Sequence, residues 1–365
     1  MQKKYTSELS FLSNFERGLD LAECDLDEVE EQFIKLLSLD NLDKQVRDNP
    51  SLTEALEIVI EESVAEAYEN DVGSDNCHLF LQRILYHINR MKLFWYDNLS
   101  NYNNECSPYL SGIRNRIEFA WQEWEKEQLN VSGLDAENVE VGLRKRAGED
   151  LEPEATETDI YFRNKMTEKG YRRLLAISSL DGLVEASQLS RMIGGVANEV
   201  QSMLTRLLIE EYGAGRLPRK HSSFFAEMLS EFGMETAPEA YFHLVPWQVL
   251  ANINHSFYLC DRNRYFLSYM GGLLFTEVSV PFAFNNYKIC AERLKFSEKA
   301  HGYWDLHIKV DKMHGQWMLN DVTIPLINNY ADYAWEMLFG YDQQKLISSR
   351  AGKAVVREVR GADLE

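Results

Sequence analysis

Two histidines and an aspartate stand at His307-x3-Asp311-x2-His314, within Trp304-Asp-Leu-His-Ile-Lys-Val-Asp-Lys-Met-His-Gly-Gln-Trp317. At i, i+4 and i+7 of a 3.6-residue helix these side chains fall within an arc of roughly 60°. One helix face therefore offers two imidazole nitrogens and a carboxylate oxygen, a donor set suited to non-haem iron or to manganese. Alone, the spacing is equally that of a solvated helix face, so the motif needs partners elsewhere in the chain.

Glu211, in Glu210-Glu211-Tyr-Gly-Ala-Gly215, precedes His221 by ten residues, and Gly213, Gly215 and Pro218 break the chain between them. A carboxylate at the C-terminal end of a helix opposes the macrodipole unless a cation lies beside it. His221 opens the next helix and can return to the same point. Adjacent glutamates point to different faces; Glu211 is preferred as the inward one, with Glu210 as the fallback. Glu277 is the lone charge in the apolar stretch Leu267–Tyr287. A buried carboxylate is costly unless paired or metal-bound. Pro281 removes the N–H that would bond the carbonyl of Glu277, so a kink or an end is expected there. Glu185 is locally an ordinary residue near a helix start. Glu185, Glu211, Glu277 and Asp311 together carry four negative charges, while neutral His221, His307 and His314 carry none. Two divalent irons would bring this set to neutrality, the state a low-dielectric interior tolerates best. Glu298-x-x-His301 resembles a ligand pair of ferritin-like bundles but lacks a second copy and is expected to be a surface pair. His243 and His255 are expected in the core or beside the site, and Phe275, Tyr303 and Trp317 could line a pocket near Glu277.

Helices must position these groups. Residues 1–130 have helical spacing, with Ser51-Leu-Thr-Glu54 resembling a capping box for a helix to about Tyr68. Phe80, Ile84, Ile88, Met91 and Phe94 mark a second helix over 79–96, and Pro108 opens a third to about Gln128. His78 and His87 lie apart from any carboxylate cluster and are expected to pack or face solvent. The acidic stretch from 131 to 160 reads as a linker, placing a domain boundary near 150. Beyond it helices are expected over 164–178, 184–212, 221–232, 246–256, 264–278, 282–301, 303–320 and 324–340. Few strand-like runs occur, and the fold class is all-α. The net charge of -20 disfavours nucleic acid and anionic lipid. Five cysteines without a CxxC pair, no signal-like N-terminus and no 18-residue apolar run fit a cytoplasmic setting without a membrane.

The ordered set Glu, Glu-Tyr-Gly-x-Gly, His, Glu in an apolar helix, then His-x3-Asp-x2-His resembles the haem-oxygenase-like di-iron oxidase and oxygenase superfamily. Within it, the pattern is similar to the N-oxygenating central domain of N-nitrosourea-forming enzymes of streptozotocin biosynthesis. The resemblance implies a haem-oxygenase-like helical bundle over 151–365, with an additional N-terminal helical module over 1–150 that serves assembly or dimerisation. It implies two irons held by Glu185, Glu211, His221, Glu277, His307, Asp311 and His314, with no catalytic residue beyond these ligands. O2 is the implied co-substrate, an external two-electron reductant comes from an unidentified donor, and oxygen reaches nitrogen through a peroxo-diferric species. The implied substrate is a small amine, guanidine or aminoazole metabolite, and the implied assembly is a homodimer. Those enzymes carry a C-terminal cupin domain that makes the N-nitroso product. None is expected here, so N-oxygenation alone is implied. Relatives lacking a counterpart of Glu185 cleave C–C bonds, which leaves an oxidative lyase or decarboxylase of an amino or fatty acid as the alternative. A helical binding protein with a degenerate site is a third possibility.

Overall fold

The computed structural model describes residues 21, 24–70, 74–93, 98–195 and 198–364. It divides into two compact units, Met1–Asn130 and Val131–Glu365, and no strand occurs among the described residues.

In the first unit α1 (Leu26–Leu37), α2 (Leu42–Asp48), α3 (Glu54–Val64), α4 (Asp75–Asn89) and α5 (Pro108–Glu127) enclose a core that includes Phe33, Leu36, Leu56, Ile60, Leu81 and Trp121. The Asp25 side chain caps α1 by accepting from the amides of Asp27 and Glu28, satisfying donors that the first helical turn leaves free. The expected capping box does not form: Ser51 Oγ donates to Asn49 Oδ1, and Thr53 occupies the cap position. Phe94 and Tyr96 of the expected second helix lie outside the described residues. His87 is not apart from carboxylates. Its Nε2 lies 2.7 Å from Glu30 Oε1 in the core, where Arg83 also reaches Glu30 at 3.0 Å. Glu30 and His87 are 57 residues apart, so local spacing could not reveal the pair.

The second unit starts 20 residues before the expected boundary, because the acidic stretch is structured. It contains α6 (Val139–Leu151) and α7 (Glu157–Asn164), followed by α8 (Glu168–Gly182). Arg146 bridges Glu137 and Asp342 at 2.8 Å each. Asp150 accepts from Tyr341 at 2.8 Å and from Lys345 at 2.7 Å. Charges that read as solvated are thus paired with groups about 190 residues away, a register invisible to local composition. Thr156 and Asp159 form a reciprocal capping box that starts α7.

The remaining helices are α9 (Glu199–Glu211), α10 (His221–Glu231), α11 (Trp247–Cys260), α12 (Phe266–Arg293), α13 (Gly302–Trp317), α14 (Ile324–Asn329) and α15 (Trp335–Leu364). The expected helix 184–212 is confined to α9, capped by the Asn198 side chain; Glu185 instead follows α8. The expected helix 324–340 is two helices, and α15 runs on to Leu364. α12 is continuous over 28 residues and contains Pro281, so the chain neither ends nor restarts there. Proline removes one hydrogen bond, while packing of α12 against α13 and α15 on either side of it holds the helix. Part of the span Asn263–Arg293 is apolar and long enough to cross a membrane by length and composition, contrary to the sequence reading; 61% of its apolar window is buried inside the protein, as in a core helix.

α12 lies between α13 and α15. It crosses α15 where glycines let the backbones meet. A Cβ on Gly340 would sit 2.0 Å from the carbonyl oxygen of Ser268, and one on Gly271 would sit 2.0 Å from that of Met337. Gly340→Ala should therefore destabilise the protein by about 1–3 kcal/mol through overpacking. Gly352→Ala, on the same helix with open space around it, should be neutral or stabilising by up to about 1 kcal/mol. Denaturant midpoints of the two variants check this, and equal midpoints would refute the close crossing.

Candidate metal centre

Five segments bring the seven residues together. Glu185 follows the last turn of α8, its amide donating to the carbonyl of Asp181 at 2.9 Å. The next residue, Ala186, is left-handed at φ 60°, an uncommon conformation for a residue with a Cβ that turns the chain away from the site. Glu211 is the last residue of α9. Gly213 at φ 60°, Ala214 at φ 51° and Gly215 at φ 76° then reverse the chain, and His221 begins α10. A Cβ on Gly213 would lie 2.4 Å from the backbone of Arg219, so only glycine permits this return. Glu277 comes from α12, and His307, Asp311 and His314 from α13. Gly315 of α13 faces the Glu277–Val278 turn of α12, its Cβ position 3.1 Å from Val278 Cγ1.

The ligand-type atoms form two groups. In the first, Glu185 Oε1 lies 2.7 Å from His307 Nε2, Glu211 Oε2 lies 2.7 Å from His221 Nδ1, and the two imidazole nitrogens are 3.1 Å apart. In the second, His314 Nδ1 lies 3.4 Å from Glu211 Oε1, 3.4 Å from Glu277 Oε2 and 3.6 Å from Asp311 Oδ1. Within Glu185/Glu211/His221/His307 and within Glu211/Asp311/His314, one donor atom from each residue lies within 4.8 Å of the others. Glu211 belongs to both.

The surroundings orient these donors. His307 Nδ1 lies 2.9 Å from the carbonyl of Tyr303; donating there leaves Nε2 facing the site. The Tyr303 hydroxyl donates to Glu185 Oε1 at 2.7 Å. His314 Nε2 faces Glu210 Oε2 at 3.3 Å, leaving Nδ1 inward. Adjacent glutamates thus take opposite sides of one imidazole: Glu211 inside with its side chain 7% exposed, Glu210 outside with 33% exposed. Behind Glu210, Arg206 covers the Trp317 ring at 4.0 Å.

The donors fit a metal. Glu185 Oε2, Asp311 Oδ1 and His314 Nδ1 are buried without a hydrogen-bond partner, and unsatisfied polar atoms of this kind are rare and costly. Without a cation, protons take its place. Burial pushes Asp311 well above the usual carboxylate range, with the neighbouring Glu277 charge adding to it. Burial likewise raises Glu211, with Glu185 and Glu277 contributing. Burial would raise Glu185 too, but His307 outweighs it and holds the group low. Burial disfavours charged imidazole at His307, yet Glu185 beside it raises His307 to about 10. Burial opposes charge at His314 as well, and Glu277 raises it to about 9.

Residues 172–343, which include all seven, match the family model described as iron-containing redox enzyme. Over that stretch the chain is similar to iron-containing redox enzymes of the haem-oxygenase-like kind, and its all-helical structure agrees with that likeness. It is also similar to nitrosourea synthase of Streptomyces achromogenes subsp. streptozoticus, at 28% identity over 171 residues. The match covers 45% of this chain and 35% of that relative, so the chain spans about a third of the relative's length.

The rest of the domain departs from several expectations. His301 is buried rather than paired at the surface with Glu298, which is exposed. His243 is exposed, whereas His255 is in the core. Of the three aromatics expected near Glu277, Tyr303 lines the cavity beside the donors. Phe275 packs edge-on against Tyr341, and Trp317 lies behind His314. Sequence reasoning missed the roles of Tyr303 and Glu210 as supports. Tyr303 stands one turn before His307, and that i−4 spacing was the available signal.

At pH 7 the metal-free protein holds both His307 and His314 protonated, because their raised values of about 10 and 9 lie above that pH. Ligation requires neutral imidazoles. Anaerobic Fe(II) uptake should release at least these two protons per chain, and apparent affinity should rise with pH until both values are passed. Calorimetry in buffers of different ionisation enthalpy measures the release; proton-neutral uptake would remove these histidines from the ligand set. Glu210→Ala should weaken metal binding about 10–100-fold, the usual effect of losing such a support, whereas Glu211→Ala should weaken both positions.

Proposed function

We propose that this domain holds two irons and acts as an O2-dependent N-oxygenase on a small nitrogen-containing metabolite. The observation that carries the reading is the sharing of Glu211 between two donor groups, with Glu185 as the extra carboxylate of one of them. The similarity to nitrosourea synthase supports nitrogen as the atom oxidised. A cavity of about 210 Å3 borders the donors and includes no lysine or arginine among its lining residues. It therefore offers no lysine or arginine to the carboxylate that an amino-acid or fatty-acid lyase would have to hold.

The protein's own groups divide the work. Glu185, Glu211 and His221 with His307 would hold one iron; Glu211, Glu277, Asp311 and His314 would hold the other. When bound, the metals supply redox chemistry with O2, drawing two electrons per turnover from an outside donor. Tyr303 fixes one oxygen of Glu185 by hydrogen bonding and leaves the other free. Carbonyl and carboxylate partners lock the orientations of His307 and His314. Leu207, Leu259, Leu273, Val280 and Phe284 give the cavity apolar walls that limit water, protecting reactive species and strengthening electrostatic contacts.

Anaerobic titration should show two Fe(II) per chain, and Glu185→Ala should reduce this to one while leaving the far-ultraviolet circular dichroism unchanged. With iron, reductant and O2, a panel of amines, guanidines and aminoazoles should yield a product one oxygen heavier, the oxygen residing on nitrogen by mass spectrometry. A shortened carbon skeleton would instead establish the lyase, and failure to bind iron would refute both.

A further inference from the structure

The cavity beside the donors contains a carboxylate that the metal reading does not use. Asp181 lines it together with Glu185, Glu211, Glu277, His307 and Asp311. Asp181 and Glu185 stand one helical turn apart, joined by the Glu185 amide to Asp181 carbonyl hydrogen bond, and residues so spaced share a helix face. Ile177, one turn earlier, is 1% exposed, and adjacent Leu180 and Gly182 are buried. Asp181 is nonetheless exposed, and it lines the cavity.

Among the described residues the Asp181 side chain has no hydrogen bond or ion pair. The other carboxylates around the cavity converge on imidazoles, but Asp181 does not. The lining has no lysine or arginine, and its one histidine, His307, is paired with Glu185 at 2.7 Å rather than with Asp181. An unpaired carboxylate among other anionic groups gains from a neighbouring cation, and a ligand cation bearing N–H donors would supply charge-assisted hydrogen bonds to it. Two uncharged polar lining groups, Asn252 and Gln344, are engaged with each other: Gln344 Nε2 donates to Asn252 Oδ1 at 2.7 Å. The anionic side of the cavity is thus concentrated at Asp181 once metals neutralise the remaining carboxylates.

We propose that Asp181 is a specificity-determining residue that pairs with a cationic ammonium, amidinium or guanidinium group of the substrate, selecting it over neutral isosteres. The proposal rests on the metal-centre reading for the neutralisation of the other carboxylates. It does not require that nitrogen be the atom oxidised.

The test uses the full chain loaded anaerobically with Mn(II), and methylguanidinium as the probe against its neutral isostere N-methylurea. Binding is read by paramagnetic broadening of the probe methyl resonance. Wild type should bind methylguanidinium more tightly than N-methylurea. Asp181→Asn should weaken methylguanidinium about 10-fold or more, the effect expected for losing a charged hydrogen-bond partner, and should leave N-methylurea binding and metal stoichiometry unchanged. Equal loss of both probes, unchanged methylguanidinium binding, or loss of metal from Asp181→Asn would each overturn the assignment. Because this readout involves no turnover, cation-selective binding in a chain that fails to oxidise nitrogen would sink the N-oxygenase reading and leave Asp181 standing. Nitrogen oxidation that is insensitive to Asp181→Asn, with cation binding also unchanged, would do the reverse.

Discussion

Four carboxylates of one metal-type cluster lie close together in a dry interior, and their mutual repulsion is the constraint to which the second unit answers. Like charges at such separations interact by several kcal/mol even at an effective dielectric of about 20. Burial first, and this repulsion with it, raises Asp311 and Glu211, while the surrounding carboxylates raise His307 and His314 against the burial that opposes their charge. Two divalent cations would relieve the repulsion with donor atoms already aimed inward. The same electrostatics accounts for the supports outside the site: Tyr303 and Glu210 occupy the atoms that would otherwise compete for the inward positions.

Bringing the charges together is a problem of backbone approach. Gly315 admits α13 against the Glu277 turn of α12, and Gly271 and Gly340 admit α15 on the other flank. Gly213 permits the reversal that returns His221 to Glu211. Gly213, Gly271 and Gly340 lie where a neighbouring main chain occupies the space of a side chain. The fold thus spends small residues at the crossings and large ones, such as Trp304 and Phe225, in the layer beneath.

Much of the site was legible because its chemistry is written in local spacing. The i, i+4, i+7 pattern placed His307, Asp311 and His314 on one face, and the Gly213–Pro218 break correctly allowed His221 to return. The isolated charge of Glu277 correctly signalled a buried carboxylate. The choice between Glu210 and Glu211 was open in the sequence because helical phase alone does not say which face is inward; the structure uses both, on opposite sides of His314. Glu185 could not be located locally: it belongs to the end of α8 rather than to the start of a long helix, and the left-handed turn at Ala186 carries no glycine to announce it. The acidic stretch failed as a linker for a different reason, since Arg146 and Asp150 find their partners on α15, far along the chain. Pro281 does not end the helix, because packing against α13 and α15 outweighs one lost hydrogen bond.

Glu211 stands in both donor groups, one oxygen toward His221 and the other toward His314. Cations bound at the two positions would therefore be thermodynamically linked. A cation at the first position fixes the carboxylate and lowers the ordering cost of the second, while drawing electron density away from the oxygen the second must use. The balance of those opposed effects, set by one side chain at the end of α9, governs whether half-loaded protein accumulates as a stable species or exists only in passing.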